Sequence, residues 1–73
     1  MPLAMVEAGL NVSVISLHGG LHVRKRLSDL GLAPGMMVRV VQRDPKGPII
    51  LAVKESRLAI GRGMAHKIMV EPC

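Results

Sequence analysis

The spacing of apolar residues changes its period along the chain, and each change marks an element. In "NVSVISL" (11–17) Val12, Val14 and Ser16 fall on one side, and Ser13, Ile15 and Leu17 on the other. That alternation predicts a strand carrying apolar residues on both faces at one end. His18-Gly19-Gly20 ends it. From Leu21 the period lengthens: Val23, Leu27 and Leu30 share one helical face, Arg24, Lys25 and Ser28 lie outside it, and Arg26 sits at its margin. A short amphipathic helix closing one end of a barrel has this pattern.

The stop signal after Leu30 is strong. Gly31 suits the left-handed residue that ends a helix, and Leu32 is placed to fold back on Leu27. Pro34-Gly35 then supplies the two central residues of a type II turn. Alternation resumes at once, with Val38 and Val40 set against Met37, Arg39 and Val41. "DPKG" (44–47) is a turn, and the next strand places Ile49, Leu51 and Val53 inward and Lys54 outward. Glu55-Ser56 reads as a further turn, followed by a short strand with Leu58 and Ile60 inward. One helical turn at "RGMAH" (62–66) leads to a last strand with Ile68 and Val70 inward. At the other end of the chain, Leu3, Met5 and Val6 are expected to cover one end of the core. The pattern predicts a mainly β protein: one domain over residues 1–73, a small barrel of about five strands with one short helix between strands 1 and 2.

Composition narrows what such a barrel does. Apolar residues make up 49% of the 73, yet Phe, Trp and Tyr are absent, so the core falls to Val, Ile, Leu, Ala and some of the six Met. A net charge of +5 raises the question of nucleic acid. The missing aromatics argue against single-strand binding, where bases stack on aromatic faces. The lone cysteine, Cys73, permits no disulfide within the chain and favours a reducing cytosolic setting. No stretch is long enough to span a membrane, and no basic segment precedes the first apolar run.

Candidate chemistry is sparse. No phosphate-cradling glycine loop is followed by Lys and Ser or Thr, and no Ser or Cys has a nucleophile's setting. A binding module is the expectation, with no enzyme activity, no catalytic residues and no cofactor. His18, His22 and His66 are weak metal candidates: two glycines separate the first pair from helical spacing, and the third is remote. The basic helix face is the feature with a direction. Arg24, Lys25 and Arg26, with Leu32 and Pro34 from the junction, are the candidate partner-binding residues, with Arg62 and Lys67 as neighbours.

These elements together resemble the ferrous iron transport protein A (FeoA) family. Leu3 and Gly9 precede a Val-rich strand and "HGG". "RLSDLGLAPGMMVRVV" (26–41) follows the family's Arg-Leu-x-x-(Leu/Met)-Gly-Leu-x-Pro-Gly-x-x-Val pattern, and "GPI" and Ala65, Ile68 and Val70 complete it. Leu27, Leu30, Gly31, Gly35 and Val38 are the motif's structural positions, together with those last three residues. The resemblance implies an SH3-like barrel and a cytoplasmic accessory role in ferrous iron uptake. It also implies a partner, the cytosolic G-protein domain of the ferrous iron membrane transporter, bound at the inner face of the membrane without insertion. Two alternatives stay open: the related domain of iron-dependent transcriptional repressors, and a basic nucleic-acid-binding barrel. The residues leave self-association open as well, since a small core and exposed strand edges suit it.

Overall fold

The computed structural model describes residues 1–73. Strands β1 (Asn11–Leu17), β2 (Met37–Arg43), β3 (Ile49–Val53), β4 (Ser56–Ile60) and β5 (Ile68–Pro72) form one antiparallel sheet, ordered β4-β3-β2-β1-β5. Helix α1 (Leu21–Asp29) joins β1 to β2, and the single turn α2 (Arg62–Ala65) joins β4 to β5. The mainly β fold with one helix between the first two strands is the one expected. β4 and β5 stand at the two ends of the order, so the sheet curls round its core without closing by a ladder between them.

Two register shifts provide the bend. One falls between Val14 and Ser16 on β1, the other between Val40 and Gln42 on β2. A bulge adds one residue to its strand and reverses which side chains face the core beyond it. Val14 pairs with Val70, and Leu17 pairs with Ile68, so Leu17 turns inward and packs on the core. Strict alternation placed Leu17 on the opposite face from Val14; the bulge corrects that. Ile15, the extra residue, is 47% exposed.

Sixteen buried residues make one cluster, drawn from every strand, from α1 and α2, and from the first turn of the chain. No methionine belongs to it; Met36 and Met64 only pack against it. The branched aliphatic side chains of the strands fill the interior, and the methionines are left at its margin. Near the start, Leu3, Ala4 and Val6 are buried around a 3₁₀ turn while Met5 is 58% exposed. Ala4 therefore takes the inward place expected of Met5, because the 3₁₀ turn directs Leu3 and Ala4 to the core and leaves Met5 outside. The third strand connection also differs by one residue. Val53 pairs with Ser56, so the hairpin turn is Lys54-Glu55, and Ser56 already lies in β4. Lys54 takes the left-handed backbone (φ 53°), as a tight two-residue hairpin requires.

Candidate partner-binding surface

The junction between α1 and β2 is built as its residues dictate. Gly31 has φ 95°, its N–H donates to the Ser28 carbonyl (2.9 Å), and the Leu32 N–H donates to the Leu27 carbonyl (3.0 Å). This pair of bonds is the Schellman motif, and Leu27 and Leu32 are both fully buried in the core. Gly35 has φ 92°, and the Met36 N–H reaches back to the Ala33 carbonyl (3.1 Å), which makes residues 33–36 a type II turn. The turn is then sewn to β1: the Gly35 N–H bonds the Val14 carbonyl (2.7 Å), and the Val14 N–H bonds the Met36 carbonyl (2.8 Å).

These bonds fix the helix while leaving most of its surface free. Leu27 is the one buried residue of α1, and Val23 is half-buried against the core. Arg24, Lys25 and Arg26 are all exposed, as is Pro34. Leu32, expected from the sequence to be a partner contact, has its side chain fully buried, where it staples the helix to the core. Leu30 also departs from expectation. It lies on the helical stripe, but the last turn overhangs the core, leaving Leu30 37% exposed. There it lines a groove of about 200 Å³ with Met36, Val53 and Leu58. Among the other motif residues, Val38, Ala65, Ile68 and Val70 are buried.

The two distant cations part company. The Lys67 side chain lies beside Gly19, in the turn just before α1. Arg62 instead donates from its guanidinium to the Asp44 carbonyl in the β2–β3 loop, so its charge is tied there. The three histidines are exposed, and the ring of His18 bonds the nearby Ser16 hydroxyl (3.0 Å) while its backbone N–H donates to the Lys67 carbonyl (2.6 Å). They do not converge, and no group of three or more His, Cys, Asp or Glu side chains is placed to hold a metal ion. No helix is long and apolar enough to cross a membrane.

A second basic region emerges on the outer face of the sheet. Asn11 pairs with Arg39, Arg39 with Ala52, and Ala52 with Arg57, so these four residues form one row across β1, β2, β3 and β4. Both arginines are exposed, and Lys54 and Arg39 line a shallow cleft of about 350 Å³ beside Ala52. Sequence reasoning set Arg39 and Lys54 outward but saw no cluster, because register alone brings Arg39 and Arg57 into line. Alternation within each strand carries no information about pairing between strands.

A family model described as the FeoA domain matches residues 1–72. The chain is 41% identical over 70 residues to an Fe(2+) transport protein A of Methanocaldococcus jannaschii, covering 96% of this chain and 84% of that one. A crystal structure of an iron uptake regulatory protein (FeoA) superposes with TM-score 0.94 at 37% identity, covering 100% of this chain and 97% of the other. FeoA of Stenotrophomonas maltophilia, solved with zinc and described as a prokaryotic SH3 domain protein, gives TM-score 0.84 at 26% identity. The match covers 97% of this chain and 89% of that one.

Proposed function

The chain belongs to the FeoA domain family, and from that premise we propose that it binds and regulates the cytosolic G-protein domain of a ferrous iron membrane transporter. The family places it among accessory proteins of ferrous iron transport. The Stenotrophomonas maltophilia relative has been suggested as a ferrous iron transport activating factor. On this reading the protein works in the cytoplasm and is drawn to the inner face of the membrane by its partner. It acts as a docking module and performs no chemistry of its own.

One observation supports the docking role above the rest. α1 is sealed at its C-terminal end by the Schellman motif and anchored by Leu27, so Arg24, Lys25 and Arg26 project from a fixed helix. A rigid cationic surface loses little conformational freedom on binding and is read by complementary negative charge. Reversing both charges (Arg24→Glu with Arg26→Glu) should weaken binding to the isolated G-protein domain at least about tenfold, with the association rate falling most. Titration calorimetry and stopped-flow mixing measure the two effects. Unchanged affinity would remove α1 as the contact, and no binding by the unaltered chain at low salt would remove the proposal.

A further inference from the structure

The two ends of the sheet are finished differently. At β5 the outer edge is covered: Pro2 bridges Met69, and Met1 and Val70 exchange two backbone hydrogen bonds of 2.8 Å. β4, at the other end of the order, has no strand beyond it. Which of its groups are left unpaired follows from the alternation of an antiparallel ladder. Val40 exchanges bonds with Leu10 and Gly9 on the β1 side, so Arg39 turns its N–H and carbonyl toward Ala52 of β3. Ala52 then faces β2, and Ile49, Leu51 and Val53 face β4. Their partners Ile60, Leu58 and Ser56 are thereby used, and Arg57 and Ala59 aim their N–H and carbonyl groups away from the sheet. β4 has no proline, no bulge and no charge pointing inward to blunt this edge; its one charged side chain, Arg57, is exposed on the outer face, and the strand is five residues long.

We propose that this edge accepts an antiparallel strand from a partner protein, one whose residues alternate between acidic and apolar. Main-chain bonds to Arg57 and Ala59 would supply the docking, as in other cases of strand addition. Side chains set the sequence. On the outer face the row Arg39–Ala52–Arg57 continues into the added strand, and the residue opposite Arg57 lies about 5 Å away at its Cβ. A carboxylate is favoured there, since the row already holds two cations and no anion. On the inner face the new strand meets half-buried Leu58 at the mouth of the groove lined by Leu30, Met36 and Val53, which favours an apolar residue. A second copy of this chain fits less well. Pairing of β4 with itself about Leu58 sets Arg57 opposite Ala59 with no counter-charge, and brings together two molecules of net charge +5. The inference concerns a face other than α1 and holds whichever protein supplies the strand.

The test uses the full chain and a fluorescent ten-residue peptide of alternating glutamate and valine, with a lysine–valine peptide as control. Anisotropy gives affinity, and amide exchange followed by NMR gives the site. The acidic peptide should bind, slow exchange at the amides of Arg57 and Ala59, and outcompete the lysine peptide at least tenfold. Ala59→Pro removes an outward N–H without touching the β3 ladder and should abolish binding. Arg57→Glu, which keeps every backbone group, guards against misfolding of the proline variant and should weaken binding about tenfold. The proposal is overturned if the acidic peptide fails to bind at millimolar concentration, if both peptides bind alike, or if protection appears on α1. Affinity surviving Arg57→Glu unchanged overturns it too. So does protection of Arg57 and Ala59 that grows with protein concentration in the absence of peptide, which would make a second copy the occupant.

Discussion

Gly31, Leu27 and Leu30 lie within five positions and carry different burdens. Gly31 holds a positive φ that a side chain resists, yet a Cβ there would meet no atom within 4 Å. Gly31→Ala is therefore a pure backbone test, expected to cost about 1 kcal/mol by urea denaturation. Leu27 is fully buried, so Leu27→Ala removes both transfer energy and packing and should cost about 2–5 kcal/mol. Leu30→Ala should cost less than about 1 kcal/mol, because its side chain already meets solvent. A large loss at Leu30 would mean that the overhanging turn is held down more firmly than its exposure indicates. Both leucines were assigned to one stripe from the sequence, and helical spacing gave that stripe correctly. It could not say where the core ends beneath the helix, which is what separates them.

At the scale of elements, α1 is a lid held by few side chains, while the central strands β1, β2 and β3 are each flanked by strands on both sides. Local opening follows that difference. Amides of α1 should exchange with deuterium well ahead of those in β2, although the helix is well capped. The same geometry predicts that reversing Arg24 and Arg26 shifts unfolding free energy by no more than about 0.5 kcal/mol, since both are exposed and outside the anchor. A thermal melt of that double variant separates loss of binding from loss of fold. The helix, its stop and the turn after it were legible in the sequence because each depends on residues a few positions apart. The bulges on β1 and β2 were not, since they reflect pairing between strands distant in the chain.

For the molecule as a whole, the first six residues are part of the barrel. Leu3, Ala4 and Val6 close the core, and Met1 and Pro2 cover the edge of β5. Removing residues 1–6 strips away two large buried side chains at about 1.5–3 kcal/mol each. A chain of this length has a total stability of only about 4–11 kcal/mol. The truncated protein should melt far lower or lose its cooperative transition in far-UV circular dichroism. A melting curve like that of the full chain would show the segment to be dispensable. This segment has no period to follow, and the inward place expected of Met5 falls to Ala4, whereas alternation gives the inward positions of β3 and β5 without error.

The sequence by itself determined the β class, the helix after the first strand, the glycine-closed junction and the aliphatic core. Each of these is set by backbone preference or by the period of neighbouring side chains. Only the tertiary structure decided that Leu32 is buried, that Leu17 turns inward, and that Arg39 and Arg57 share a row ending at an open edge. Those facts depend on register, on bulges and on the extent of the core, which arise when distant segments pair.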